Sequence, residues 1–553
     1  MSRHVIDVLL RPPVELWTSL VAALCAGVAL LAPSVLLLPR ELGLVVAAAM
    51  LLLAVWRGHQ ACRAIRYQWR LKRLRPYRIG ANRLPLSRHK LYLGRGFAWG
   101  QRHTQRLRDT LRPELQRYVS PGRLYRWARR KETQWEHRLV LQWIARWLRQ
   151  PILNPLAPLV SVGGNPALHG VGLYEQDVWM NLDERVGHTL VLGTTRVGKT
   201  RLAELLIAQD IRRGDVVIVV DPKGDADLLK RVYTEAVAAG RISDLVIFHL
   251  GFPECSARYN AIGRFSRITE VATRIANQLP SEGNSAAFKE FAWRFVNIIA
   301  RALVSLGEQP DFERIRRYIN DIEPLFIRYA RYWLSANGDE DWQAAVETLA
   351  AKVSNRNVPP PMRGRQADAI GLYQHLQQRS IYEPVLDGLM STFKYDRSYF
   401  DKIVSSVGPL LEKLCSGAVA ELLSPRAGDQ RPILDWMDVV RRRGIVYVGL
   451  DALSDTTVAG AVGNAMFADL VSVAGYIYKH GLGVVRVAVP TMSLHADEVN
   501  VLIGDEFVPL LNQAGGAGFH VTAYTQTWSD VEVRLGDRAK AGQVAGNYNS
   551  LFM

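Results

Sequence analysis

The sequence predicts an α/β protein carried on an apolar N-terminal hairpin, and two observations predict it. Residues 14–38 and 42–56 are apolar runs separated only by Pro39-Arg40-Glu41. Further along, 188–192 (HTLVL), 200–213 (TRLAELLIAQDIRR) and 216–221 (VVIVVD) read in turn as strand, crossover helix and strand.

The first apolar run is long enough to cross hydrocarbon as a helix; the second, about 15 residues, is marginal on its own. Arg3 and Arg11 precede the first run, Arg57 and its basic followers come after the second, and the link between them is electrically balanced. That charge pattern predicts a hairpin with both ends cytosolic. A cleaved signal peptide would have a shorter apolar core and a small-residue cleavage site, and the residues around Cys25 suit lipid attachment poorly.

With 553 residues the chain exceeds one ordinary core, so two or three domains are expected, and 48% hydrophobic against 22% charged residues describes a globular protein. Cys25, Cys62, Cys255 and Cys415 lie far apart with no Cys-x-x-Cys pair, which excludes a disulfide scaffold and argues against structural zinc. The net charge of +17 is concentrated in one place. Residues 57–150 carry 25 Lys/Arg against Asp109, Glu114, Glu132 and Glu136, a net of +21, while 151–553 carry a net of −4. Such a block calls for a polyanion, either phospholipid headgroups or nucleic acid. Within it Trp135, Leu139, Trp143 and Trp147 recur at four-residue spacing, predicting one helix with an aromatic stripe. The stripe suits single-stranded nucleic acid, a membrane interface or plain packing, and the sequence does not separate these. Pro151, Pro155 and Pro158 then mark a boundary near 150–160.

Gly193-Thr194-Thr195-Arg196-Val197-Gly198-Lys199-Thr200 is a complete G-x-x-x-x-G-K-T between a strand and a helix. Glycines let the backbone curl so that successive N–H groups face phosphate oxygens, and the helix N-terminus adds partial positive charge. Lys199 is expected on the β/γ phosphates of ATP and the Thr200 hydroxyl on Mg²⁺. Three sites could supply the remaining carboxylates: Asp221, the pair Asp497/Glu498, and the pair Asp505/Glu506. Hydrolysis asks for a metal-side acid and a base that polarises water, and a paired Asp-Glu at one strand end supplies both. Asp497 is therefore expected on Mg²⁺ through water, Glu498 as the base, and Asp221 as an accessory residue. Residues 518–525 (GFHVTAYT) read as a further core strand with Gln526 at its tip, suited to sense the γ-phosphate or orient water, or else simply to cap the strand.

Together the twin-span N-terminus, GTTRVGKT, VVIVVDPKGD and SLHADE followed by VTAYTQT resemble type IV secretion coupling proteins, the TraD/TraG-like ATPases of conjugation. LGRGFAWGQRHTQRL (93–107) looks like a segment of the TraD subgroup carried by integrative elements. The resemblance implies a RecA-like P-loop NTPase core interrupted by an all-α insertion, assembled as a homo-hexamer on the bacterial inner membrane. It also implies delivery of relaxase-bound DNA, single-stranded in the first instance, to the channel proteins of a type IV secretion system. On this basis the expected divisions are a transmembrane hairpin over 1–56, a basic juxtamembrane region over 57–155, core over 156–283, the insertion over 284–425 and core again over 426–553. Two features depart from the family: Gly515-Gly516-Ala517-Gly518 lacks the basic residue many relatives carry there, and Leu551-Phe552-Met553 ends inside an apparent strand, as a truncated chain would. The competing expectations are another membrane-bound translocating ATPase, or a nucleotide-gated scaffold with little hydrolysis.

Overall fold

The computed structural model describes residues 8–73, 77–138, 140–150, 154, 156–159, 166–172, 174–194, 197–279, 285–354, 358–379, 382–394, 407–425, 428–482, 489–504 and 506–553. The chain divides into two compact units: Met1–Pro85 with Tyr92–Trp179, and Leu86–Leu91 with Met180–Met553.

In the first unit, α1 (Val14–Leu31) and α2 (Arg40–Lys72) pack against each other, and both are long and apolar enough to cross a membrane. Small residues do the packing. Ala22, Ala26 and Ala29 on α1 and Gly43, Ala47 and Ala54 on α2 are buried, whereas Leu24, Leu31, Leu52 and Val55 face outward. Close backbone approach with large aliphatics turned out is how helices pair in lipid. Ser19 Oγ donates to Ala54 O at 2.7 Å and ties the pair together away from the connecting turn. The reading of 42–56 as marginal is corrected here, because α2 runs for 33 residues and passes Trp56 without a break. The Arg, Gln, Ala and Tyr residues beyond Trp56 are compatible with helix, so the change from apolar to basic is no helix signal.

The single aromatic stripe is also corrected. Arg123–Trp135 and Gln142–Arg149 are two helices, with Leu139 outside the described residues. Arg149 reaches back to Glu132 at 2.5 Å and Glu136 at 3.0 Å, clamping the second helix onto the first. The chain then pairs β1 (Lys90–Gly96) with β2 (Gln176–Asn181) in a two-stranded sheet.

The second unit is built on a seven-stranded sheet of β3 (Thr189–Leu192), β4 (Val216–Asp221), β5 (Leu245–His249), β6 (Ile445–Gly449), β7 (Met492–Ala496), β8 (Phe519–Thr525) and β9 (Ser550–Phe552), in the order β5-β6-β4-β7-β8-β3-β9. Every neighbouring pair is parallel. β4 is an interior strand, between β6 and β7, and is buried along its whole length, which is why VVIVVD shows no polar alternation. Its residues still alternate by face. Val217 and Val219 join Ile207, Ile211, Leu228 and Val232 in one core, while Val216, Ile218 and Val220 join the larger core on the other side.

Helices Lys199–Arg213 and Ala226–Ala238 cover the first face. From Ser285–Ser305 to Gly417–Leu423 every described element is helical, and these helices pack into the larger core. Thr456–His480 is a third helix apolar enough to span a membrane, yet 78% of its apolar window is buried within the protein, against 17% for α1 and α2. It is apolar all round because it is enclosed all round.

Candidate nucleotide site

β3 ends at Leu192, and the helix Lys199–Arg213 begins seven residues later. Gly198 sits at φ +107°, a conformation costly for any residue with a Cβ. A Cβ on Gly193 would stand 2.6 Å from Val197 Cγ2 and crowd the Lys199 stem, so the turn closes this tightly only with glycine there. Gly193 N–H donates to Thr525 O at 3.2 Å, joining the loop to β8. No side chain caps the first turn of the helix. Its N–H groups therefore point into the turn, the arrangement that receives an anion. Thr194, Val197, Gly198 and Thr200 line this exposed turn; Thr195 and Arg196 lie outside the described residues.

Lys199 Nζ is buried and hydrogen-bonds to nothing among the described residues, an ammonium held in reserve for a ligand. Its nearest opposite charge is Glu498 Oε1 at 3.8 Å. That carboxylate comes from the end of β7, two strands away, with β8 between. β8 contributes Gln526, whose Nε2 donates to Glu498 Oε1 at 3.2 Å. Glu498 adopts φ +38°, a strained backbone for a side-chain-bearing residue, and such strain is concentrated at functional positions. Asp497 N–H continues the β7 ladder to Val220 O at 2.9 Å, while its Oδ1 accepts the N–H of Glu498 at 2.9 Å. The strand ends therefore bring Lys199, Asp497, Glu498 and Gln526 together.

One residue of this cluster is not evident from the sequence. Lys223 Nζ donates to Glu498 Oε1 at 2.8 Å. It is carried by a tight turn, Asp221-Pro222-Lys223-Gly224-Asp225, knotted around the Asp221 carboxylate. Asp221 accepts from the N–H of Lys223 at 2.9 Å, the N–H of Asp225 at 2.6 Å and the Tyr447 hydroxyl at 2.8 Å. The available signal was a lysine two residues beyond the end of the most apolar strand. Of the third acid pair, Asp505 lies outside the described residues, and Glu506 accepts instead from Asn277 Nδ2 at 2.8 Å.

The two paired carboxyls differ in environment. Burial, with the nearby Asp221 and Glu498 charges, pushes Asp497 up to about 6, partly offset by the hydrogen bond from the Glu498 N–H and by Lys199. Burial works in the same direction on Glu498, but its hydrogen bonds from Lys223 and Gln526 and the charge of Lys199 hold it below the ordinary glutamate value.

Behind the cluster runs a fully buried polar chain. Arg185 Nη1 donates to Asp210 Oδ1 at 2.7 Å, and Asp210 Oδ2 accepts from His495 Nε2 at 2.9 Å. His495 Nδ1 accepts from the Tyr524 hydroxyl at 3.0 Å. Burial pushes the His495 imidazole down, and a neutral ring satisfies both bonds with one tautomer. Burial alone would raise Asp210, but Arg185, His495 and Arg213 hold its carboxyl well below the ordinary range. The chain ties the helix after the phosphate turn to β7 two residues before Asp497, and to β8 two residues before Gln526.

ATP and Mg²⁺ fit these residues. A buried ammonium with no hydrogen-bond partner among the described residues, an uncapped helix N-terminus and adjacent carboxylates of unequal acidity are the donor set such a ligand requires.

No family model matches the chain. Over 161 residues it is 24% identical to the type 4 coupling protein DotL of Legionella pneumophila, a stretch that is 26% of this chain. The match spans about a fifth, 21%, of that relative's length. Among solved structures, the bacterial conjugative coupling protein TrwB in its unbound form aligns with TM-score 0.40 and 15% identity, covering 68% of this chain and 70% of that one. TrwB in complex with ADP and Mg²⁺ aligns with TM-score 0.39 and 14% identity, over 73% and 75% of the two chains. VirB4 of Thermoanaerobacter pseudethanolicus aligns with TM-score 0.28 and 13% identity, over 65% and 73%.

Proposed function

We propose that this chain is a membrane-anchored, Mg²⁺-dependent ATPase that drives DNA toward a type IV secretion channel. The observation that carries the ATPase reading is Glu498, brought from β7 past β8 to within 3.8 Å of Lys199. The similarity to DotL and the motif resemblance support the coupling role, with relaxase-bound, single-stranded DNA as cargo and channel proteins as partners. The anchor is α1 and α2 in a bacterial inner membrane, both termini cytosolic, and the working form is a homo-hexamer.

Lys199 and the N–H groups of the turn 193–200 hold the triphosphate. Thr200 Oγ1 and, through water, Asp497 would hold Mg²⁺, which supplies neutralisation of the phosphate charge when bound. Glu498 accepts a proton from the attacking water at its carboxylate, and Gln526 orients that water from the neighbouring strand. Lys223 sets how freely Glu498 can do so.

The test is the ATPase rate of the detergent-purified full chain with and without single- and double-stranded DNA, beside Lys199→Ala. The reading expects DNA to raise turnover several-fold and Lys199→Ala to abolish it. Turnover indifferent to DNA in an active preparation removes the DNA motor; undiminished turnover in Lys199→Ala removes the site.

A further inference from the structure

We propose that the cleft on α2 immediately beyond its apolar part is a binding site for the phosphodiester headgroup of an anionic phospholipid. His59, Arg63, Arg66 and Arg70 line a cavity of about 220 Å³ together with Cys62, Tyr67, Tyr174 and Glu175. The first four recur at offsets of four, seven and eleven, which is one stripe along a helix. The opposite wall is held in place locally: Arg106 Nη1 donates to Val171 O at 3.1 Å and Arg95 Nη2 to Glu175 O at 3.4 Å.

Three arguments point to a lipid phosphate. The first is position. Trp56, 55% exposed and stacked under the Arg57 guanidinium at 4.8 Å, marks the interfacial level of α2. At 1.5 Å per residue, His59 and Arg63 stand about 5–10 Å beyond it, at the outer part of the headgroup layer, and Arg66 about 15 Å beyond, one long side chain away from it. The second is direction. Helical side chains lean toward the helix N-terminus, and α2 runs out of the apolar zone, so these guanidiniums lean back toward the lipid. The third is charge. Neither Arg63 nor Arg66 has an acidic partner among the described residues, and the cleft sums to +2 when Glu175 is set against the three arginines. Planar forks of that kind match phosphodiester oxygens. The net positive charge of the cleft favours anionic lipids such as phosphatidylglycerol and cardiolipin over net-neutral choline lipids.

The site rests on α2 crossing a membrane, so alkaline carbonate extraction is run first: release of the protein from membranes refutes the anchor itself. For the anchored protein, thermal unfolding of the full chain in detergent is followed with short-chain phosphatidylglycerol, short-chain phosphatidylcholine and inorganic phosphate. Phosphatidylglycerol is expected to raise the Tm by several degrees and phosphatidylcholine not to, since a ligand that binds only the folded chain stabilises it by mass action. Arg63→Gln/Arg66→Gln should lose most of that shift, and Arg57→Gln, outside the cleft, should keep it. An equal shift from phosphate that is likewise lost in the double variant, or a phosphatidylglycerol shift retained in that variant, overturns the lipid site. Lipid co-purifying with the unmodified protein gives a second readout independent of any variant: enrichment of anionic over zwitterionic lipid relative to the membrane is expected, and bulk proportions overturn the proposal.

Discussion

Lys223 Nζ lies 2.8 Å from Glu498 Oε1, a full ångström nearer than the phosphate-loop Lys199 at 3.8 Å. With Gln526 donating to the same oxygen at 3.2 Å, little acceptor capacity is left there for a water molecule. Lys223 therefore restrains the base. Replacing it by glutamine frees a lone pair on Oε1 and lets the Glu498 pKa rise. We expect Lys223→Gln to raise turnover without DNA by about 2–10-fold, the range one acid–base interaction controls. The acid limb of the kcat–pH profile should move to higher pH, because the lysine hydrogen bond is among the effects that hold Glu498 low. Steady-state rates between pH 5 and 8.5 test this; an unmoved acid limb with unchanged or reduced turnover would mean that Lys223 does not govern Glu498.

Asp497 makes a prediction of opposite character. Its folded-state pKa, up at about 6, exceeds the ordinary 3.8, so the fold favours the protonated form. That contribution is fully present below pH 3.8 and is lost as pH rises through about 6, so at neutral pH the ionised carboxylate destabilises the protein. Asp497→Asn keeps an oxygen to accept the Glu498 N–H and removes the charge. It should gain about 1–3 kcal/mol at pH 7.5, with a smaller gain at pH 5. The same variant should lose Mg²⁺-dependent hydrolysis by two or more orders of magnitude. Melting curves with EDTA at both pH values decide the matter: a Tm equal to or below that of the parent at pH 7.5 contradicts it.

Much of this site is legible in the sequence because its parts are local. GTTRVGKT is a contiguous turn, VVIVVD can only be a strand buried on both faces, and the Asp-Glu pair follows directly on its own strand. Lys223 escapes sequence reading because its partner is 275 positions away and only the order β4-β7-β8 brings them together. The Trp135–Trp147 stripe misleads because helical spacing persists across a break that Arg149 and Glu136 stabilise from outside the stripe. α2 is mis-sized for a related reason: hydropathy ends at Trp56, whereas hydrogen bonding continues to Lys72. Thr456–His480 carries the converse lesson, since composition alone does not distinguish a helix enclosed by protein from one enclosed by lipid.

The buried chain behind the site should be costly to break. Arg185 and Asp210 are both fully shielded from solvent, and Arg185 also approaches Thr522 Oγ1 at 3.3 Å and Ser493 Oγ at 3.4 Å. Removing the cation leaves a buried carboxylate supported by Arg213 and a neutral imidazole, a loss of about 3–5 kcal/mol for pairs of this kind. We expect Arg185→Met to lower the Tm of the second unit by many degrees, and nucleotide binding to restore only part of the loss. Differential scanning calorimetry with and without ATP analogue measures both, and a Tm within a degree or two of the parent would show that the network is dispensable.

The proposed topology is testable at Leu37. It lies in the turn between α1 and α2, 93% exposed and at φ +53°, while both helix ends away from this turn lead to the basic segment and the N-terminus. If the hairpin crosses the inner membrane twice, Leu37 is outside and the residues after Arg57 are inside, as the excess of arginine there requires. The four native cysteines are first replaced by serine or alanine. Leu37→Cys should then react with a membrane-impermeant maleimide in cells whose outer membrane has been permeabilised, whereas Tyr233→Cys, at a position 49% exposed in the second unit, should react only after lysis. Labelling of both residues in unlysed cells, or of neither, is incompatible with a hairpin whose ends are cytosolic.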